Sequence, residues 1–194
     1  MQKFKQFHQT SFKRILSESK SDTVVFQIGR FNPITKGHEE NVRYGEKIAK
    51  EKDAQYILFT TQTHDGQKNP LDFETKVKYL KKFFDVNVSA DKTLKTPWQI
   101  LEALAKKFKN IYFIVGEDRV EEFQRMHNYT EKFGIEHLEV LESGKRQAGV
   151  SGTDMRNYVK LNQFDKFKEN LPKSATDEDA KELFALVKTG LRIN

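Results

Sequence analysis

The stretch TVVFQIGRFNPITKGHEENVRYGEKIAK, residues 23–50, joins a predicted buried strand to a predicted helix and indicates the fold class most clearly. Its first part, residues 24–28, is mostly apolar and β-branched, and Gly29 ends it. The pattern over residues 37–50 predicts an amphipathic helix. A strand that passes through a short loop into a helix is the first half of a βαβ unit, which predicts a parallel sheet.

The alternation of strand and helix continues along the rest of the chain. Four more short strands are predicted over residues 56–60, 86–88, 111–115 and 137–141. Further helices are predicted over residues 72–84, 118–126, 153–161 and 177–187, with another that begins at the cap residue Thr96. Together these elements predict an α/β, Rossmann-like, doubly wound domain with a five-stranded parallel sheet and C-terminal helices. Ligands of such sheets bind at the carboxyl ends of the strands, so we expect the site in the loops there.

Composition limits the class of protein. The 194 residues suit one domain of ordinary size with a short appendage. No Cys is present, which excludes disulfides and thiolate-based metal or nucleophile chemistry and fits a reducing cytoplasm. A mean hydropathy of −0.74, without an apolar run of about 20 residues, predicts no membrane span. The net charge of +6 suggests an anionic partner, either a nucleic acid or a small phosphorylated molecule.

The loop after the first predicted strand holds the strongest candidates for a site. It reads Gly29-Arg30-Phe31-Asn32-Pro33-Ile34-Thr35-Lys36-Gly37-His38. The N-terminus of a helix offers free N–H groups and the positive end of the helix dipole, so it suits a phosphate. Gly37 allows close approach of the backbone, and Thr35 and His38 would face the same anion. Lys36 and Arg30 add positive charge.

A second segment late in the chain has the same character. It reads Gly149-Val150-Ser151-Gly152-Thr153-Asp154-Met155-Arg156 and opens a predicted helix. Ser151 and Thr153 are good cap residues whose hydroxyls can also bind phosphate. Arg156 lies one turn from Thr153 on the same face, where it can meet the outer phosphates of a nucleotide. Alone the pattern is typical of a capped surface helix, but its place after the first motif in a Rossmann pattern indicates function.

Both segments resemble signatures of the nucleotidyltransferase superfamily that is related to class I aminoacyl-tRNA synthetases. The first is similar to the (H/T)xGH motif, with Thr35 where many members have His, and the second resembles the ISxTxxR motif. The Thr form is similar to phosphopantetheine adenylyltransferases, whereas the start at Gly29 is closer to nicotinamide mononucleotide (NMN) adenylyltransferases. The resemblance covers roughly residues 23–161 and implies a fold of the nucleotidyltransferase (HUP) type.

Weaker similarities to NMN adenylyltransferase-like members occur elsewhere. Gly116-Glu117-Asp118 resembles a GxD segment that contacts ribose or a substrate phosphate, and Arg119 follows it. Asn69, in a segment that resembles one after the second strand of these enzymes, is implied to contact substrate. Trp98, the only Trp, can stack on a substrate base, although its apolar neighbours favour a position in the core or at its rim.

The resemblance implies nucleotidyl transfer, in which an acceptor phosphate attacks the α-phosphorus of a nucleoside triphosphate and pyrophosphate leaves. Catalysis then consists of positioning and charge stabilisation. The implied catalytic residues are His38, Thr35, Lys36 and Arg156. The residues implied to bind the nucleotide and its phosphates are Gly29, Arg30, Phe31, Asn32, Gly37, Ser151, Gly152 and Thr153. We expect a Mg²⁺ ion held by triphosphate oxygens and water, with no direct protein ligand.

The nucleotide and the acceptor are less sharply implied. The start at residues 29–31, the GxD segment and residues 68–71 favour ATP and an acceptor like NMN. Residues 146–153 partly match the RTxGISTT pattern of cytidylyltransferases, so transfer from CTP is the alternative. Either substrate makes the anionic partner a nucleotide, and no specific nucleic acid or membrane partner is expected. The oligomeric state is left open.

Residues 1–22 are interpreted as a leader and linker, and residues 23–194 as the nucleotidyltransferase domain. The first 18 residues carry four Lys or Arg and one Glu, about half of the net charge. MQKFKQF, followed by Leu16-Ser17-Glu18, resembles the capsid-targeting leaders of T4-like phages, which a prohead protease cleaves. That resemblance implies a phage protein of the host cytoplasm that is packaged in the virion, either as an enzyme or as a head protein on a retained fold. The alternative is a disordered or docked N-terminal helix.

Overall fold

The computed structural model describes residue 16 and residues 21–143 and 149–193. The predicted leader over residues 1–18 lies outside the described residues except for Leu16, so its cleavage and packaging stay predictions. The described chain divides into two compact units. The first unit contains residues 21–28, 42–59 and 86–143, and the second contains residues 29–41, 60–85 and 149–193.

Five parallel strands form one sheet in the order β3-β2-β1-β4-β5. Their bounds are Thr23–Gly29 (β1), Gln55–Thr60 (β2), Asn87–Val88 (β3), Asn110–Val115 (β4) and His137–Glu142 (β5). The strand order reverses between β1 and β4, where Val24 lies opposite Ile111. Almost every residue of β2 and β4 is buried, as expected for parallel strands. The predicted α/β fold with a five-stranded parallel sheet is confirmed.

Eight α-helices accompany the sheet within the described part of the chain. Their bounds are Lys36–Glu51 (α1), Phe73–Phe83 (α2), Pro97–Ala105 (α3), Val120–Gln124 (α4), Thr130–Phe133 (α5), Gly152–Lys160 (α6), Phe164–Glu169 (α7) and Asp177–Gly190 (α8). Capping boxes begin three of them, at Thr96, Ser151 and Thr176. No described helix is long and apolar enough to cross a membrane.

The region from residue 117 to residue 133 differs from its prediction. A helix was expected over residues 118–126, but the chain forms a 3₁₀ turn over Glu117–Arg119, the short α4 and a second 3₁₀ turn over Arg125–Tyr129. None of these three pieces begins with a side-chain hydrogen bond that caps it, so no N-cap stabilises a single longer helix here. The four-residue α5 and the six-residue α7 were not predicted, since so few residues carry no clear periodicity.

Aromatic residues dominate the core of the first unit. Phe26 of β1 stacks on Phe113 of β4 with ring centroids 4.2 Å apart. Phe123 of α4 meets Phe113 edge to face at 4.9 Å. These rings, with the aliphatic residues of α3, hold the helices of this unit against the strands.

The second unit packs α8 against α2 and α7. Phe167 of α7 is fully buried against Phe184 of α8, with centroids 5.3 Å apart. Lys82 of α2 pairs with the buried carboxylate of Asp179 at 2.5 Å. At the end of α8 the Cα of Gly190 faces Pro70 so closely that an added Cβ would lie 2.1 Å from the Pro70 carbonyl oxygen. The C-terminal helix thus contacts α2 through this ion pair and the loop that carries Pro70 through Gly190.

Candidate active site

The loop after β1 has an unusual backbone at Phe31. This residue has a φ of 48°, in the left-handed region that few non-glycine residues adopt. Its ring is buried and lies over Gly29, where an added Cβ would come within 2.6 Å of the ring. The peptide bond between Asn32 and Pro33 is cis. Only a glycine at position 29 therefore accommodates this arrangement of the loop.

His38 lies in the first turn of α1, and Thr35 orients its ring. The N–H of Thr35 donates to His38 Nδ1 at 3.0 Å, and the Thr35 hydroxyl oxygen is also 3.0 Å from that nitrogen. The Phe31 ring covers the imidazole with a centroid distance of 4.8 Å. Because Nδ1 accepts a hydrogen bond, the proton of a neutral His38 ring is on Nε2. The buried Thr35 thereby defines which ring nitrogen of His38 is the donor.

Arg156 joins the two signature segments. Its Nη1 donates to the Asn32 carbonyl at 2.7 Å, and its Nη2 donates to the Thr153 hydroxyl at 2.9 Å. An added Cβ at Gly152 would lie 3.2 Å from the Asn32 carbonyl oxygen and 3.3 Å from Arg156 Nη1. The start of α6 thus packs closely against the loop after β1. Residues 124 positions apart in the sequence meet in one cluster.

The charge around Arg156 favours an anion. Burial, and then the nearby positive charge of Arg30, lower the pKa of Arg156, whereas Asp65 has the opposite effect. An arginine keeps its proton despite such a shift, so Arg156 stays positively charged. Two like charges held close together are stabilised when an anion binds between them. Arg30 is exposed and Arg156 is half-buried, which leaves this pair within reach of a ligand.

Ser151 and Asp154 cap the start of α6 by hydrogen bonds to each other. The Ser151 hydroxyl donates to Asp154 Oδ2 at 2.6 Å and accepts the Asp154 N–H at 3.2 Å. The bonds from Ser151 hold the pKa of Asp154 below its usual range. Ser151 is therefore the N-cap of α6, and its predicted contact with phosphate stays a prediction. Residues 146–148 of the cytidylyltransferase-like pattern lie outside the described residues.

Asn32 has a side chain that bonds within the protein. Its Oδ1 accepts the Leu71 N–H at 2.8 Å, and its Nδ2 donates to the Arg30 carbonyl at 3.3 Å. The residue is only 3% exposed. Asn32 thus connects the loop after β1 to the loop after β2 through its side chain, and to α6 through its carbonyl group. Its predicted contact with the nucleotide stays a prediction.

Asp65 organises the loop after β2. Its Oδ1 accepts the N–H groups of Gln67, Lys68 and Asn69 at 2.9, 2.7 and 3.1 Å. Its Oδ2 accepts from Asn69 Nδ2 at 2.6 Å, and these bonds strongly lower the pKa of Asp65. The buried Asn69, predicted to contact substrate, is thus a partner of Asp65. Sequence reasoning missed Asp65, although the Asp-Gly pair at residues 65–66 is typical of a turn.

Lys76 of α2 binds two backbone carbonyl groups of the same loop. This fully buried lysine of α2 donates to the carbonyl groups of Thr61 and Thr63. Burial lowers its pKa to about 8, against the attraction of Asp72. A positively charged lysine at this position therefore destabilises the folded state relative to a neutral one, even though it satisfies two carbonyl groups.

Lys76→Met should change the pH dependence of stability. The folded pKa of Lys76 is lower than its ordinary value of 10.5, so the unfolded state binds more protons between about pH 8 and pH 10.5. We expect the unfolding free energy of the wild type to rise relative to Lys76→Met by about 2 kcal/mol over this range. Urea unfolding of both proteins at pH 7.5 and pH 10 measures this difference in unfolding free energy. A difference that is independent of pH would contradict the burial of a titrating lysine.

Four weaker candidates belong to the first unit. Trp98 is half-buried and packs on Phe123 with a centroid distance of 5.5 Å, so its indole is at the rim of the core. Gly116 precedes a 3₁₀ turn that contains Asp118 and Arg119. The exposed Arg119 makes a two-point ion pair with Glu122. Their contacts with substrate stay predictions.

No described group of three His, Asp or Glu side chains could hold a metal ion between them. The two signature segments instead contribute cations, hydroxyls and N–H groups. This set of donors suits the oxygens of a phosphate chain rather than a cation.

Comparison with known proteins shows the family and the fold. The model of the cytidylyltransferase-like family matches residues 26–158. A Vibrio parahaemolyticus protein assigned as a nicotinate-nucleotide adenylyltransferase has a similar structure, with a TM-score of 0.56 and 17% identity over 83% of this chain and 97% of that chain. Thermotoga maritima TmcAL, solved with alpha-thio ATP, has a TM-score of 0.51 and 12% identity over 84% of this chain and 55% of that one. No curated protein matches significantly.

Proposed function

This chain belongs to the cytidylyltransferase-like family of nucleotidyltransferases, and from that premise we propose that it transfers adenylate from ATP to a small phosphate-bearing acceptor such as NMN, with release of pyrophosphate. The observation that carries the proposal is the contact of Arg156 with the Asn32 carbonyl. It brings the cation of the second signature to the loop that orients His38. Binding a triphosphate along its whole length requires both the guanidinium group of Arg156 and the imidazole of His38 as donors to its oxygens.

In the proposed mechanism the protein provides no nucleophile. The acceptor phosphate is already ionised at neutral pH and attacks the α-phosphorus in line with the departing pyrophosphate. His38 donates from Nε2 to the oxygens around the α- and β-phosphates, because Thr35 occupies Nδ1. The Thr35 hydroxyl keeps the ring in this orientation. Catalysis comes from a donor that is already aligned where negative charge develops.

The outer phosphates are assigned to the second signature. Arg156 presents a fork of N–H donors, and Thr153 and Gly152 begin α6, where the positive end of the helix dipole lies. Lys36 and Arg30 add positive charge from the first signature. A Mg²⁺ ion would bind through the triphosphate oxygens and water and would neutralise part of their charge. None of these assignments needs a side chain outside the two segments.

The choice of ATP rests on two lines of support. The start of the first loop at Gly29 is similar to NMN adenylyltransferases. The Vibrio neighbour is assigned to adenylate transfer, and TmcAL was solved with an ATP analogue. The family description favours CTP as the alternative donor, together with the partial match of residues 146–153 to cytidylyltransferases.

Thermal unfolding with each of the four nucleoside triphosphates and Mg²⁺ tests the choice. We expect ATP at about 100 times its Kd to stabilise the protein by about 2.7 kcal/mol, which is a rise in Tm of about 5–10 °C for a domain of this size. Pyrophosphate release should then require ATP together with NMN or a related phosphate. A shift with CTP alone would assign the protein to cytidylate transfer. No shift with any nucleotide would contradict the proposal and favour a head protein on a retained fold.

A further inference from the structure

The first turn of α1 is held by a segment that lies outside the family match. The Lys36 N–H donates to the Asn170 carbonyl at 3.0 Å. In the opposite direction, the Lys173 N–H donates to Glu39 Oε2 at 2.9 Å. We call these two hydrogen bonds the clamp. It joins residues 36–39, which include His38, to a segment more than 130 positions later in the sequence.

The segment on the far side of the clamp is itself anchored. Asn170 Nδ2 donates to the Lys166 carbonyl at 2.8 Å, and Leu171 is only 2% exposed. The Ser174 hydroxyl donates to the carbonyl of Phe83 at the end of α2 at 2.9 Å. These contacts connect the segment to α7 and to α2. The backbone N–H that Glu39 binds is therefore held in place by contacts with α7 and α2, and does not belong to an isolated loop.

The clamp places negative groups where the proposed function expects a polyanion. A carboxylate in the first turn stabilises a helix through its dipole, but Glu39 would also repel a triphosphate. The Asn170 carbonyl occupies the Lys36 N–H, which a phosphate could otherwise use. The Glu39 carboxylate and the Asn170 carbonyl both oppose phosphate binding. If they contribute to the site, they do so by holding the first turn of α1 in position.

We propose that Glu39 is a positioning residue that acts through Lys173. By accepting the Lys173 N–H it fixes the first turn of α1 and, through that turn, the direction of the His38 imidazole. The inference rests on the proposed role of His38 in nucleotidyl transfer. It also gives residues 170–173, which no signature covers, a function in the reaction.

Two variants at position 173 isolate the clamp. The Ala175 N–H donates to the Pro172 carbonyl, which makes residue 173 the second residue of a four-residue turn, where proline is favoured. Lys173→Pro therefore removes the N–H without opposing the turn, whereas Lys173→Ala keeps the N–H and removes the exposed side chain. We expect Lys173→Pro to lower kcat about 10-fold with little change in Tm, and Lys173→Ala to lie within about twofold of wild type. Equal kinetics for the two variants would overturn the proposal.

Variants at Glu39 complete a double-mutant cycle with the variants at position 173. Glu39→Ala should match Lys173→Pro, and the double variant should be no slower than either alone, because both changes break one bond. Glu39→Gln keeps an acceptor oxygen and should restore most of kcat, and its loss of negative charge should lower the KM for the nucleotide. Glu51→Ala, an exposed residue in the last turn of α1, is the matched control. Independent, multiplicative losses in the double variant would contradict the clamp.

Failure of the clamp and failure of the proposed function give different results. If His38→Ala is inactive but Lys173→Pro is unaffected, the clamp alone is wrong. If His38→Ala retains full activity, the role of His38 is wrong, and the clamp is then judged by the imidazole NMR resonances of His38. Those resonances should move in Lys173→Pro and stay in place in Lys173→Ala. Unchanged resonances in both variants would overturn the clamp without any reference to activity.

Discussion

His38→Ala should lower kcat for nucleotidyl transfer by about 10²–10³-fold, the usual cost of removing one aligned donor to developing negative charge. The physical reason is that Thr35 binds Nδ1 and leaves Nε2 as the proton-bearing nitrogen of the neutral ring. Alanine has no donor, and a water molecule in its place would not be held in one direction. Because His38 is not part of the buried core, we expect Tm to change by less than about 2 °C.

The measurement is pyrophosphate release under saturating nucleotide and acceptor, which reports kcat. His137→Ala is the control, since this exposed histidine at the start of β5 lies in the first unit. Thr35→Val keeps the N–H but removes the hydroxyl and should show an intermediate loss of about 10-fold. A His38→Ala protein with undiminished kcat would exclude His38 from the catalytic machinery.

Arg156→Ala should lower kcat/KM for the nucleotide by about 10²-fold, mainly through KM. Its guanidinium group makes two separate hydrogen bonds, to Asn32 and to Thr153, from one rigid plane. Arg156→Lys keeps the charge but cannot reproduce both bonds with a single ammonium group. We therefore expect the lysine variant to recover less than about a tenth of the wild-type kcat/KM.

Initial rates over a range of nucleotide concentrations separate KM from kcat for these variants. Arg43→Ala removes an exposed arginine of α1 that pairs with Glu46, and it should leave both constants unchanged. If Arg156→Lys has wild-type kinetics, charge alone is sufficient and the fork geometry has no function. If Arg156→Ala leaves KM unchanged, Arg156 does not hold the nucleotide.

Elements with a strong local signal were predictable from the sequence. Residues 111–115 form a continuous apolar run, and residues 24–28 are apolar except for Gln27. The strands observed there differ from the prediction by one residue at each altered end. Thr96, Ser151 and Thr176 begin helices through capping boxes. In each, the hydroxyl accepts the N–H of the residue three positions later, and the side chain of that residue accepts the N–H of the cap residue. By contrast, α7 carries one buried residue, Phe167, which is too little for a periodic pattern.

The candidate site divides in the same way. The two helix starts could be identified from the sequence, because a cap residue, a glycine and a cation at fixed spacing are local properties of one turn. The hydrogen bonds that Asn32 accepts from Arg156 and Glu39 accepts from Lys173 are seen only in the folded chain. Those pairs are separated by 124 and 134 positions. Spacing along the chain carries no information about such contacts, since they depend on how the packed helices bring distant backbone groups together.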